Sequence, residues 1–181
     1  MTIPAPLPSY VELYERLAYD PHSGELTWKS GRSAGAVAGY RRVQGGRPTY
    51  IAVNVLGKKL IAHRVIWKLF TGQEPPALID HINRDPFDNS WCNLRAATPA
   101  QNSANRSPLA NTSSRYVGVT KHRKTGLWQA QAKHRGRNHY IGLFSDEKAA
   151  ARARDAVSIR LYGPFAYLNF SEHSEAAHGT R

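Results

Sequence analysis

The sequence has a single cysteine, Cys92, and a single methionine, Met1. One thiol excludes an intramolecular disulfide and any zinc site built on several cysteines. Long apolar runs are also missing. The longest span a few residues, against the roughly 20 needed to cross a bilayer, so no membrane-spanning segment is expected. Residues 1–6 carry neither a basic start nor an apolar h-region, so no secretory signal is expected either. Acid is scarce: 13 Asp and Glu stand against 25 Lys and Arg in 181 residues, a formal charge of +12. That excess points to a polyanionic partner, nucleic acid before an anionic membrane surface. Aromatic residues are plentiful, with four Trp, nine Tyr and five Phe. They suffice for a core and argue against wholesale disorder.

The charge is uneven. Residues 1–107 hold 13 basic and 8 acidic side chains, and residues 108–170 hold 11 and 3. Within the second part, residues 115–144 contain seven Lys or Arg and no acid. Between the parts, residues 103–114 are small and polar and are broken by Pro108, the composition of a linker. The expected organisation is an N-terminal helix-and-strand region (1–48), a module at 49–106, a linker at 107–113, a second module at 114–170, and a tail at 171–181 that frays.

In the first part, Ser9 and Glu12 form a capping-box pattern for a helix carrying Leu13, Tyr14 and Leu17 on one side. Residues 20–24 read as a turn, 25–29 as a short alternating strand, and 31–39 as a small-residue loop followed by Arg41, Arg42 and Arg47. Residues 50–56 and 58–62 read as a hairpin turning at Gly57. Residues 63–70 read as a helix with Val65, Ile66, Leu69 and Phe70 on its apolar stripe, ended by Gly72.

Residues 78–95 are dense in Asp, His and Asn, yet lie between apolar anchors at Leu78, Ile79, Ile82, Phe87, Trp91 and Leu94. Polar side chains held between such anchors are preorganised rather than solvated at random. Cys92 beside Trp91 reads as a small core hydrophobe. Asp88 and Asn89 read as groups supporting the site or as a plain Asx turn. Thr98 and Pro99 then mark the cap and first position of a short helix carrying Asn102.

His63-Arg64-Val65, Asp80-His81, Asn89, Asn93-Leu94, Thr98 and Asn102 resemble the HNH nucleases, in the subgroup common among phage and intron homing endonucleases. The resemblance covers about residues 50–105 and implies a ββα-metal finger. Residue by residue, it implies that Asp80 and Asn102 are ligands of one divalent cation, with oxygen donors that suit Mg²⁺ or Mn²⁺. It implies that His81 is the general base for a water attacking a backbone phosphorus, since imidazole titrates near about pH 6.5. Asn93 matches the Asn that pins the finger's loop and orients the base. The family's last motif residue is often His, and Asn102 stands in its place as a variant of this subgroup. His63 and Arg64 remain open between a structural role and a phosphate contact.

The second module reads as three strands and a helix. Strands are expected at 115–123, 127–134 and 139–144, with turns at 125–126 and 135–138. Trp128, Ala130 and Ala132 alternate with Gln129, Gln131 and Lys133, giving one apolar face and one polar, basic face. Ser145 is expected to cap a helix with Ala149, Ala150, Ala153, Val157 and Leu161 on its buried stripe, stopped at Gly163. These motifs, with Leu168-Asn169-Phe170, resemble the Apetala-type (ethylene-response-factor) DNA-binding domain, which lays a three-stranded sheet in the major groove. Positions matching its contact residues are Thr120, His122, Gln129, Gln131, Lys133, Asn138 and Tyr140. Thr120, His122 and Asn138 replace arginines typical of the plant domains, so a G/C-rich preference does not carry over.

The fold class expected is therefore α+β: a ββα-metal module plus an antiparallel sheet packed on one helix. The function expected is that of a metal-dependent homing-type DNA endonuclease, phage- or intron-encoded and cytoplasmic in a bacterial host. Its partner would be double-stranded DNA, with one Mg²⁺ or Mn²⁺ per site, no small-molecule cofactor and a monomeric state. The alternative is a non-catalytic DNA-binding regulator that keeps an HNH fold. RNA binding is poorly supported, because no RNP-like aromatic signature or KH-type Gly loop is present.

Overall fold

A computed structural model describes residues 6–44, 47–105, 113–134 and 136–170. The chain divides into two compact units, Met1–Ala97 and Thr98–Arg181. The division falls ahead of the short helix that carries Asn102. Residues 107–112 of the expected linker and the tail at 171–181 lie outside the described residues.

In the first unit, Ser9 and Glu12 cap each other. The Glu12 amide donates to Ser9 Oγ at 3.3 Å, and the Ser9 amide donates to Glu12 Oε2 at 2.8 Å. The helix they start, α1 (Tyr10–Tyr14), is shorter than expected. Leu13 is buried on it, but Leu17 opens strand β1 (Leu17–Tyr19) instead of extending it. Tyr14 stays at the surface, where Lys29 Nζ lies 3.6 Å from its ring centre. β1 pairs antiparallel with β2 (Leu26–Trp28) across the expected turn. At that turn Gly24 has a φ of +77°, and a Cβ there would sit 2.3 Å from the Ser90 amide nitrogen. Only glycine accepts both the left-handed backbone and the close approach.

Three further strands follow: β3 (Tyr40–Gln44), β4 (Arg47–Val55) and β5 (Lys58–Ile61), in the order β3-β4-β5. β4 and β5 form the hairpin expected around Gly57, and β3, which follows the expected loop at 31–39, adds an edge strand that the sequence does not announce. Helix α2 (Ala62–Thr71) comes next and ends at Gly72, as expected. Val65 and Ile66 of its stripe join Leu13, Leu17, Val53, Val55 and Leu60 in one aliphatic core. Fully burying a side chain of this kind stabilises by about 1.5–3 kcal/mol. Phe70 departs from the stripe: it is exposed and stacks on Trp91 at 4.2 Å between ring centres.

The second unit opens with α3 (Pro99–Ala104), where Thr98 and Gln101 form another reciprocal cap. Strands β8 (Val119–Lys121), β9 (Trp128–His134) and β10 (Arg137–Phe144) form an antiparallel sheet with β9 central, and α4 (Glu147–Tyr162) packs on it. The α+β architecture is as expected, with differences of detail. The first strand is only three residues long, because Gly118 has a φ of +75° and lies against the Gln131 carbonyl, so residues 115–118 turn instead of extending. The cap of α4 is Asp146, one residue later than expected, with its carboxylate accepting from the Ala149 amide at 2.7 Å.

The buried face of α4 is also rotated. It comprises Ala150, Ala151, Arg154, Asp155 and Ser158, while Ala149 is exposed. An apolar stripe read from periodicity misses this because three of the five residues are polar. Asp155 accepts from the Asn169 and Phe170 amides at 2.7 and 3.0 Å, from Asn169 Nδ2 at 2.9 Å and from Arg154 at 3.2 Å. Asn169 in turn accepts from the Val117 amide at 2.7 Å. Hydrogen bonds on this scale let a carboxylate remain buried.

Candidate active site

The chemistry-rich segment begins with β6 (Ile79–His81) and closes with a 3-10 turn (Trp91–Asn93) and β7 (Leu94–Ala96). The two strands pair antiparallel, with Asp80 opposite Arg95 and His81 opposite Leu94. Leu94 belongs to the aliphatic core. Trp91 is held against α2 by Trp67 and Phe70, with ring centres 5.2 and 4.2 Å away. The finger is therefore fixed at both ends by apolar contacts. The expected anchor Ile82 and the expected core residue Cys92 fall elsewhere. Ile82 is 43% exposed, since its amide is held by the Asn93 carbonyl at 2.9 Å while its side chain faces out. Cys92 is exposed rather than in the core, because Trp91 takes the inward place.

Asn93 is buried and organises the connection between the strands. Its Oδ1 accepts from the Asn83 amide at 2.9 Å, and its Nδ2 donates to Asn83 Oδ1 at 2.9 Å and to the Asp88 carbonyl at 2.7 Å. Asp88 forms an Asx turn, accepting from the Ser90 amide at 3.1 Å and from Ser90 Oγ at 2.7 Å, and it also accepts from Asn83 Nδ2 at 2.6 Å. Those hydrogen bonds, Ser90's first, hold its carboxyl below the usual range. Neither Asn83 nor its pairing with Asn93 was foreseen; a third Asn two residues beyond His81 was the available signal.

His81 is buried, and its Nε2 lies 3.1 Å from Asn89 Oδ1. Asn89 is itself buried, and its backbone carbonyl accepts from the Tyr19 hydroxyl at 2.9 Å. On another side the ring of His63, from the first turn of α2, meets that of His81 edge-on at 5.2 Å. Burial pushes the His63 pKa down to about 3, aided by the positive charges available to His81 and Arg64. His63 is therefore a neutral imidazole at neutral pH. Arg64 donates to the Pro76 carbonyl at 2.9 Å, a tie to the segment leaving α2.

Asp80 is buried, and Arg95 forks onto its Oδ2 with Nε at 2.9 Å and a terminal nitrogen at 2.7 Å. Arg95 was not among the residues foreseen, although it follows Asn93-Leu94 directly. Among the described residues no three His, Cys, Asp or Glu side chains gather as a metal cage. Asn102 stands on α3 in the second unit, half-buried.

In the second unit the register gathers the expected contact residues. Thr120 lies opposite Gln129, Tyr140 opposite Gln131, and Asn138 opposite Lys133. Partners across an antiparallel ladder share a face, as do alternate residues along a strand. All six therefore point away from α4, and Tyr140 is 63% exposed. His122 follows β8 and pairs with the Thr125 hydroxyl at 2.9 Å. Trp128 lies on the opposite face, packed against the small core under α4.

Comparison with known proteins agrees with this geometry. Residues 61–104, from α2 through α3, match the family model described as HNH endonuclease. A protein of Acanthamoeba polyphaga mimivirus described as an uncharacterized HNH endonuclease is 34% identical over 126 residues, 68% of this chain and 64% of that protein. An AP2-like ethylene-responsive transcription factor of Arabidopsis thaliana is 38% identical over 68 residues, 32% of this chain and 16% of the factor. An APETALA2-like protein of Oryza sativa is 42% identical over 59 residues, 33% of this chain and 14% of that protein. The chain thus spans less than two thirds of the viral relative and a small part of the plant ones. The strand pair, the buried Asp80-His81 and the Asn93-braced connection all lie inside the stretch, residues 61–104, that is similar to the HNH endonuclease family.

Proposed function

We propose that the protein is a divalent-metal-dependent, site-specific DNA endonuclease of the homing type. In this reading the β6–β7 finger cuts a phosphodiester bond and the exposed sheet face of the second unit reads duplex sequence. The observation that carries it is the setting of His81, held by Asn89 and next to Asp80 in a domain that matches the HNH endonuclease model. With the amide oxygen of Asn89 facing Nε2, that nitrogen carries the hydrogen, and Nδ1 is the basic nitrogen of the neutral ring. His81 takes a proton from water as the water oxygen bonds to phosphorus. The bond from phosphorus to the leaving oxygen then breaks, and that oxygen takes a proton from solvent. Neutral His63 beside His81 places no positive charge against the proton being gained.

The donor types here fit an oxygen-preferring cation. Asp80 offers a buried carboxylate, and Asn102 has the residue type of the second oxygen ligand that the resemblance implies. Mg²⁺ or Mn²⁺ is the cation proposed; when bound, it supplies charge stabilisation to the phosphorus centre and the leaving oxygen. Support for the homing type comes from the resemblance to phage and intron enzymes and from a viral relative. For the reader, it comes from the shared face of Thr120, Gln129, Gln131, Lys133, Asn138 and Tyr140, with His122 beside it. One observation favours a non-catalytic DNA-binding protein instead: the Arg95 fork already neutralises Asp80.

A plasmid cleavage assay with and without Mg²⁺ or Mn²⁺ separates the two readings. Cleavage should require the metal, and His81→Ala should lower it by about 10²-fold or more with duplex binding nearly intact. Asp80→Ala should abolish the metal response. Unchanged cleavage in both variants would overturn the assignment, and metal-independent binding with no cleavage would favour the regulator.

A further inference from the structure

A second long stretch without acid lies in the first unit. Residues 26–73 hold nine Lys or Arg and no Asp or Glu. The β3–β4–β5 sheet lies inside it, and its two faces differ. Ile51, Val53, Val55 and Leu60 point into the aliphatic core. On the other face the register aligns Tyr40, Arg42, Tyr50, Asn54 and Lys59 around Ala52, which is fully buried, and Ile61, because cross-strand partners and alternate residues share a side. Tyr40 is 43% exposed, and Asn54 and Lys59 are exposed.

Cations and rings are paired across this face. Lys59 Nζ lies 5.4 Å from the Tyr40 ring centre. The Arg42 guanidinium lies 5.2 Å from the Tyr50 ring centre and donates to the Tyr50 hydroxyl. Contacts of this kind hold long side chains in place while their charge remains available to an anion. The same edge strand is tied to the site: the Arg41 guanidinium lies 4.4 Å from the ring centre of Phe87, in the connection that follows His81.

We propose that this outer face of β3–β4–β5 is a second contact surface for duplex DNA, with Arg42 and Lys59 taking backbone phosphates and Tyr40, Tyr50 and Asn54 lying against sugar and phosphate edges. The charge complementarity decides the occupant: a polyanionic backbone meets cations on strands that themselves carry no carboxylate. Phosphate contacts position a protein on the duplex without specifying sequence. The nuclease unit thereby has its own grip on the substrate next to its site, while sequence reading stays with the second unit. The inference rests on the DNA-cutting function proposed above.

The test uses the full chain with His81→Ala, so that DNA is bound without being cut. Adding Arg42→Ala and Lys59→Ala should make the dependence of log K on log salt shallower by about 1 to 2, since each phosphate contact contributes about 0.9. The hydroxyl-radical footprint should shorten at one end only. Lys59→Ala alone, at an exposed position, should produce about half of that slope change and covers the case in which the Arg42 variant does not fold. Arg42→Lys with Lys59→Arg should restore the slope. An unchanged slope and footprint in the folded variants would overturn the proposal. So would wild-type co-sedimentation with phosphatidylserine-containing vesicles that the two substitutions abolish while the DNA slope stays the same. If the His81→Ala parent shows no salt-dependent duplex binding, the functional reading itself fails.

Discussion

The two units fill their interiors with different chemistry. The first closes on branched aliphatic side chains, with Leu13, Leu17, Val53, Val55, Val65 and Ile66 all fully buried. The second closes on Ala130, Ala150 and Ala151 with Tyr116, Val119 and half-buried aromatic rings, and it also buries Arg154, Asp155, Ser158 and Asn169. Aliphatic burial is non-directional, so such a core tolerates changes of shape if its volume is kept. A buried charge needs each of its partners, so the second core specifies one arrangement and fails sharply when a partner is lost. The difference matches the duties proposed for the units. A cutter needs a stable base under a small polar site, whereas a reader needs its sheet face held in a fixed register.

The sharpest way to break the contrast is Asp155→Ala. It removes the acceptor for two backbone amides, for Asn169 and for Arg154, leaving a buried guanidinium without its counter-ion. The expected loss is about 3–5 kcal/mol by denaturant unfolding of the second unit's transition. Ile66→Ala, its counterpart in the first unit, should cost about 3 kcal/mol, and Ile66→Val much less, about 1 kcal/mol. If Asp155→Leu proved as stable as wild type, the polar core would be replaceable by volume alone and the contrast would fail.

A smaller effect separates the two kinds of contact expected on the reader's exposed face. Gln131→Ala should change sequence preference by about 1–3 kcal/mol, because Gln pairs bidentately with adenine. Lys133→Ala should weaken all sequences alike and reduce the salt slope by about 1. A binding-site selection experiment on both variants distinguishes them, and uniform weakening in both would reduce the face to a phosphate surface.

The smallest effect is a pH dependence confined to the first unit. His63 is held neutral in the folded state, with its pKa pushed down to about 3 by burial. In the unfolded chain it protonates near about pH 6.5. Below that pH the unfolded state binds the extra proton, so stability falls as pH drops from about 6.5 toward 3. Denaturant midpoints between pH 7 and 5 should decline for the wild type and decline less for His63→Gln. An equal decline would show that another group carries the dependence.

Much of the local structure was legible in advance. Ser9-Glu12 and Thr98-Pro99 announce helix starts, and Gly72 and Gly163 announce ends, because caps are satisfied within four residues of sequence. The alternation of β9 gave the correct sheet face because period two survives wherever one side is buried. The buried stripe of α4 was misjudged, since Asp155 and Arg154 count as surface residues until Asn169 and Tyr167 are brought beside them. Strand β3 was not expected, because Arg41 and Arg42 carry no apolar alternation of their own. Their strand character depends on pairing with Ile51 and Tyr50 of β4.

At the site the same division holds. Asp80, His81, Asn93 and Asn102 stood out by residue type and spacing, which are properties of the chain alone. Asn89 stood open between a group supporting the site and an Asx turn until its contact with His81 decided it, and the roles of Arg95 and Asn83 did not stand out, because each depends on a hydrogen bond across the β6–β7 connection. Sequence by itself determined the caps, the strand alternation, the basic charge and the resemblance to an HNH motif, all of which depend on near neighbours or on composition. Tertiary structure alone decided that Arg95 covers Asp80, that His63 stays neutral beside His81 and that Asp155 is buried. Those outcomes turn on desolvation and on partners brought from distant segments, and neither exists until the chain has folded.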